Sequence, residues 1–169
     1  MTTNLVISNK LLSLRGRMNI TDDSGNIIYE AVGELSFFSP TWRITKGARE
    51  VATVQRKIFS FSPTWSISGE LGEFLIRRRI FSLTRKYDVL DGPLNGASIS
   101  GNIWDLSFVI LNGSEVIARA TGKILNLRDQ HNIEIINSDK ESELMTIISM
   151  ITLHIDRSSE NANNSFSNH

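Results

Sequence analysis

Residues 57–67 read K-I-F-S-F-S-P-T-W-S-I, and the phrase has five relatives along the chain. K-L-L-S-L-R-G-R-M-N-I starts at Lys10, E-L-S-F-F-S-P-T-W-R-I at Glu34 and R-I-F-S-L-T-R-K-Y-D-V at Arg79. A weaker copy, S-G-N-I-W-D-L-S-F-V-I, starts at Ser100, and K-I-L-N-L-R-D-Q-H-N-I starts at Lys123. Successive starts are 24, 23, 22, 21 and 23 residues apart. A near-constant period of this size marks one supersecondary unit copied along the chain. The repeat, and not a catalytic motif, organises the sequence.

Each copy ends with a bulky or branched residue at every second position: Met18 and Ile20, Trp42 and Ile44, Trp65 and Ile67, Tyr87 and Val89, Phe108 and Ile110, His131 and Ile133. Alternate residues of a strand share a face, so each pair is expected on one side of a sheet. Turn signals follow the first five pairs: D-D-S-G-N at Asp22, K-G-A-R-E at Lys46, S-G-E-L-G at Ser68, D-G-P-L-N-G at Asp91 and N-G-S-E at Asn112. Glycine, aspartate and asparagine accept the backbone angles of tight turns. Second strands are expected at 27–32, 51–56, 74–79, 97–101 and 116–121. Five hairpins and the strand of the sixth repeat give about eleven strands in up-and-down antiparallel order. So many strands cannot stay flat, and closure into a barrel would remove their unpaired edges. Pro40 and Pro63 stand where strands begin, so F-S-P-T-W reads as a bend followed by a core tryptophan.

The sixth repeat breaks the pattern with S-D-K-E-S-E-L-M-T-I-I-S-M-I-T-L-H-I-D-R from Ser138. Ser138 and Glu141 have capping-box spacing, and Asp139 and Glu141 suit a helix start. Leu144, Met145, Ile147, Ile148, Met150, Ile151, Leu153 and Ile155 then cover almost the whole circumference of a helix at about 139–156. A helix apolar on every side is surrounded by protein or lipid. Residues 144–155 would extend about 18 Å, against about 30 Å for a bilayer core. The helix is therefore expected to fill the lumen of the barrel. The tail, residues 158–169, is polar and low in complexity, which predicts disorder, and residues 1–9 read as an N-terminal extension.

The chain of 169 residues suits one domain, here 10–157, with 40% hydrophobic and 21% charged residues. There is no cysteine, which removes disulfides and thiolate metal sites. The opening M-T-T-N-L-V-I-S-N-K lacks a secretory pattern and fits a cytoplasmic protein, peripheral at a membrane if it meets one. Net charge is zero, but residues 43–86 hold ten basic and three acidic residues, a local +7 balanced by −7 elsewhere. Such a dipolar molecule can offer a basic face to an anionic partner.

Hairpins of this form, closed by an apolar helix ending in Ile155-Asp156, resemble the LURP-one-related family of the tubby C-terminal-like superfamily. The matching stretches are L-L-S-L-R-G-R-M-N-I-T-D-D-S-G-N-I-I-Y-E from Leu11, R-E-V-A-T-V-Q-R-K from Arg49 and V-I-A-R-A-T-G-K from Val116. The resemblance runs from Lys10 to Arg157. It implies a mainly β fold, a closed antiparallel barrel of about 12 strands around a central hydrophobic C-terminal helix. It also implies lipid-linked relatives, since tubby proteins bind phosphoinositides and phospholipid scramblases act at membranes. The resemblance transfers no site residue.

The candidate site is the basic middle segment. Arg77 and Arg79 share one strand face, while Arg78 points to the other with Phe74 and Ile76. Arg85 and Lys86 follow the next turn, and Arg56 and Lys57 occupy the same stage of the preceding hairpin. Arg56, Lys57, Arg77, Arg79, Arg85 and Lys86 are thus expected at one rim as contacts for phosphate groups. The plainer reading is a solvated face that discourages strand pairing with strangers. No enzymatic constellation is recognisable: His131 takes a structural aromatic position, His154 sits on the apolar helix and His169 in the tail. Asp22, Asp23, Asp88 and Asp91 are read as turn-makers, and no cofactor or metal is expected. The expected partners are an anionic membrane surface or phosphoinositide or, alternatively, a protein bound by an adaptor surface. Nucleic acid is not expected.

Overall fold

The structure, a computed structural model, describes residues 3–10, 16–34, 39–102, 107–121, 130–136 and 139–166. It is mainly β: an antiparallel sheet with one C-terminal helix packed against it. The strands are β1 (Thr3–Lys10), β2 (Arg17–Asp22), β3 (Ile27–Glu34), β4 (Thr41–Lys46), β5 (Arg49–Lys57) and β6 (Thr64–Gly69). They continue as β7 (Phe74–Arg78), β8 (Lys86–Leu90), β9 (Ser98–Asn102), β10 (Ser107–Asn112), β11 (Glu115–Thr121) and β12 (Gln130–Ile135), followed by α1 (Lys140–Phe166). Sequence neighbours pair throughout, and β1 pairs with both β2 and β12, so each of the twelve strands has a partner on both edges.

β1 corrects an expectation. Residues 1–9 read as an extension, yet Thr3–Lys10 is the strand that joins the two ends of the ladder. Its N-L-V-I-S-N stretch lies outside the repeated phrase, so the period alone did not count it.

The alternation sorts the side chains as expected. Met18, Ile20, Ile44, Trp65, Ile67, Tyr87, Val89, Phe108 and Ile110 are buried, while Trp42 is half-buried against the core. The side chains of His131 and Ile133 lie outside the described residues. Pro40 and Pro63 immediately precede β4 and β6, and their carbonyls accept hydrogen bonds from the Arg56 and Arg78 amides at 3.1 and 2.9 Å. Each proline thus uses its carbonyl where it has no N–H to give. The hairpins β4–β5 and β10–β11 turn on Gly47-Ala48 and Gly113-Ser114, with positive φ at the glycine alone, 62° and 60°. Glycine first in a two-residue loop is the II′ arrangement that suits strand twist. A register shift follows at Ile44/Thr45 and Ile110/Leu111, and a third occurs at Ile20/Thr21. Such bulges sharpen twist and help a long sheet curl.

α1 is buried along its central stretch, including the polar positions. Leu144, Met145, Ile147, Ile148, Met150, Ile151, Leu153 and Ile155 are joined by Thr146, Ser149 and Thr152. Two of the three hydroxyls are satisfied within the helix: Thr146 donates to the Ser142 carbonyl (2.6 Å) and Thr152 to that of Ile148 (2.9 Å). Burial therefore costs little at those positions. The helix runs closest to β5, β11 and β12, where Ala52, Ala118 and Ala120 leave room for it. Its cap is Asp139, whose carboxylate accepts from the Ser142 amide and hydroxyl, both at 2.8 Å; Ser138, the expected cap, lies outside the described residues. No helix among the described residues is long and apolar enough to cross a membrane.

The C-terminal boundary also differs from expectation. The helix continues to Phe166 rather than ending near 156, so residues 158–166 are helical. Glu160, one turn beyond Asp156, is held by the same arginines as Asp156, which extends the helix past its apolar stretch.

Ile148→Ala should cost about 2–5 kcal/mol, because a cavity opens where neighbours from several strands converge. Urea unfolding measures it. Arg77→Ala, on the exposed face, should stay within about 0.5 kcal/mol of the parent.

Candidate functional site

The six expected contacts do come to one end of the sheet, where β5 and β7 finish and β6 and β8 begin. Cross-strand rungs fix them: Lys57 pairs with Thr64, Thr64 with Arg77 and Arg77 with Asp88. The Arg79 amide donates to the Lys86 carbonyl at 2.8 Å. Opposed residues share a face, and alternation with buried Ile76 and Tyr87 turns Arg77 and Lys86 outward. Lys57 alternates with Val54 and Arg56 on β5 and is exposed as well. Lys57 and Arg77 stand two strands apart, about 10 Å. A diphosphate or two adjacent headgroups could bridge that distance.

The six do not act alike. Arg79 is clamped by Asp88 through Nε–H at 2.7 Å and Nη2–H at 2.5 Å. Asp88 is therefore an ion-pair partner in mid-strand and not a turn-maker, whereas Asp22 and Asp91 do serve turns. Arg56 sits opposite Trp65 and faces inward, half-buried. Arg85 turns to the helix. Among the described residues no ion pair engages Lys57, Arg77 or Lys86, which leaves their charge available.

Arg78, which the sequence places on the inward face and outside the candidate set, joins Arg85 in a part-buried knot around Asp156 and Glu160 of α1. Arg78 donates through Nη1 to both Asp156 oxygens, at 3.2 and 2.9 Å, and to Glu160 at 2.6 Å. Arg85 donates to Asp156 at 3.3 Å and to Glu160. The Tyr87 hydroxyl donates to Asp156 at 2.7 Å. The Asp156 side chain is only 2% exposed, and three donors converge on it. The inward register of Arg78 was legible in the sequence, and the identity of its acidic partners was not. Arg78 falls in register with inward Phe74 and Ile76, and an inward arginine demands a carboxylate.

The opposite end repeats the device. Tyr29 donates to Glu143 at 2.5 Å, Lys46 donates to Glu143 at 3.1 Å, and Glu70 bridges Arg49 and Lys140 at 2.5 and 2.8 Å. Burial, then the adjacent Glu143 and Asp156 carboxylates, pushes the Tyr29 and Tyr87 phenols far above their ordinary value of 10.0. Glu160 is held below the usual glutamate range: burial raises it, but hydrogen bonds from Arg85 and Arg78 outweigh that.

A further feature went unread in the sequence. Of eight exposed large hydrophobic residues among the described residues, six lie in the two loops at this basic end: Ile58, Phe59, Phe61, Ile80, Phe81 and Leu83. Ile27 and Ile136 lie at strand ends on the other side. By contrast, the apolar depression lined by Leu71, Phe74, Pro93, Leu94 and Met145 has no room for a water molecule. No group of three or more histidine, cysteine or acidic residues able to hold a metal occurs among the described residues.

Two outcomes follow. Asp156→Ala should destabilise by about 3–5 kcal/mol in urea unfolding, because Arg78 and Arg85 lose their buried partner. A phenol value raised by folding means that the native state holds its proton more tightly than the unfolded chain. Stability from Tyr29 and Tyr87 is complete below about pH 10 and is lost as pH rises above it. Glu160 works in the other direction, adding stability above the ordinary glutamate value that is lost on acidification. Unfolding curves from about pH 9 to 11 should show a declining midpoint for the parent and a shallower decline for Tyr87→Phe.

The twelve strands and most of the buried stretch of α1 fall within a span recognised by comparison. A family model described as LURP-one-related matches residues 3–154. No curated protein matches the chain. The match begins at the first residue of β1 and takes in every hairpin and the buried helix up to His154, so the chain belongs to the LURP-one-related family.

Proposed function

We propose that the chain is a non-enzymatic module that recognises anionic phospholipid or phosphoinositide headgroups at the cytoplasmic face of a membrane. In this reading the doubly paired sheet is a closed barrel plugged by α1, a rigid body that presents one basic end. The supporting observation is the rung that holds Lys57 and Arg77 outward on neighbouring hairpins, with Lys86 beside them and no ion pair on any of the three among the described residues. Lys57 and Arg77 lie about 10 Å apart on one face with Thr64 between them, and an anion placed there would relieve their mutual repulsion. Arg79 adds reach when Asp88 releases it. Arg56 and Arg85 support the rim from within, and Arg85 keeps its role in the helix knot.

Each outward cation near an acidic leaflet contributes about 1 kcal/mol. Lys57→Ala, Arg77→Ala and Lys86→Ala combined should lower partitioning onto phosphatidylserine-containing vesicles roughly a hundredfold. Sedimentation at low and physiological salt reads this out, with weaker binding at the higher salt. Equal recovery of the parent with neutral and acidic vesicles would end the proposal. Arg85→Ala should instead lower the unfolding midpoint.

A further inference from the structure

The loops that carry the exposed apolar residues stand at the outer limit of the basic end. The β5–β6 loop follows Lys57 with I-F-S-F-S-P, and the β7–β8 loop follows Arg78 and Arg79 with I-F-S-L-T. β6 pairs with β7, and the Arg78 amide donates to the Pro63 carbonyl at 2.9 Å, so the loops are neighbours rooted on one pair of strands. Phe59 is 100% exposed, Phe61 97%, Phe81 95% and Leu83 109%. Four fully wetted large side chains in two adjacent loops are more than a scatter of surface apolar residues. In sequence, L-L-S-L, L-S-F-F, I-W-D-L and I-L-N-L stand between β1 and β2, β3 and β4, β9 and β10, and β11 and β12; these stretches lie outside the described residues.

The order of chemistry along the molecule matters more than either feature alone. Moving outward from the sheet, one meets the cations Lys57, Arg77, Arg79 and Lys86, then the apolar tips. A lipid leaflet presents the complementary order, acyl chains beyond a layer of phosphate. Residues that enter the boundary by about 5–10 Å would set the cations level with the headgroups. We propose that Phe59, Phe61, Phe81 and Leu83 are insertion tips that enter the acyl region of an anionic leaflet while the basic rung holds the phosphates. The proposal rests on the headgroup reading given above and adds the mode of engagement, an embedded end in place of surface adhesion.

The chain has no cysteine, so a single reporter can be placed cleanly. Phe81→Cys carries an environment-sensitive NBD label at a tip, and Ser24→Cys carries it in the turn between β2 and β3 at the far end. With phosphatidylcholine–phosphatidylserine vesicles, the tip label should shift to the blue and be quenched by lipids spin-labelled near the top of the acyl chain. The far label should not respond. Phe59→Ser combined with Phe81→Ser should keep the parent melting temperature and lose at least about tenfold in vesicle partitioning.

Sedimentation of the parent with acidic vesicles while the tip label stays as wet as the far label overturns insertion and leaves the headgroup reading standing. No sedimentation at all overturns both. Dehydration of the tip label on raising protein concentration without lipid overturns insertion in favour of a second copy as occupant. Unchanged partitioning of the double serine variant overturns it in favour of a protein partner at the same loops.

Discussion

Enclosure of α1 is the constraint on which the rest depends. A helix with apolar groups on nearly every side has no solvated face to offer, so the sheet must meet it from several directions at once. Twelve strands paired on both edges do this, and their bulges next to the turns supply the curvature. The alanines on β5 and β11 are the other half of the fit, since larger residues there would hold the helix away. Even the buried threonines conform, each bonding back to its own helix and asking nothing of the sheet.

Apolar contact sets depth poorly, because a greasy rod can slide along a greasy surface. Electrostatics at the two ends remove that freedom. Glu143 is held by Tyr29 and Lys46 at one end, and Asp156 and Glu160 by Arg78, Arg85 and Tyr87 at the other. The same three groups, carboxylate, cation and tyrosine hydroxyl, recur at both. A carboxylate in such a position must be paired, and a tyrosine there is a donor that brings no second charge. These pairs add specificity of placement more than net stability.

The same economy explains why one arginine run divides three ways. Residues 77, 78 and 79 follow one another, but strand alternation turns Arg78 to the helix and leaves Arg77 and Arg79 outside. Asp88 then takes Arg79. The outward charge that remains is smaller than the composition of the segment suggests, and it is concentrated on Lys57, Arg77 and Lys86. Beside it the β5–β6 and β7–β8 loops leave aromatic and aliphatic residues in water, a cost that a folded monomer has no internal reason to bear.

Periodicity by itself determined much of this molecule. The copied phrase located five hairpins, the alternating pairs named the buried face, and the all-apolar run from Leu144 announced an enclosed helix. Those features are local, and local patterns answer to strand and helix geometry directly. β1 was not legible, since a strand outside the period declares itself only when its two partners come together. Residues 158–166 were not legible as helix, because Glu160 gains its reason only from arginines more than seventy residues away. The phrase I-F-S-F precedes the bend at Pro63 and carries no mark of exposure in the sequence, and only the end of the ladder, where no neighbour remains to cover a side chain, decided that Phe59 and Phe61 stand in solvent. Charge was visible in the sequence, but which charges are spent on the helix and which stay outside was settled by which residues the tertiary structure set face to face.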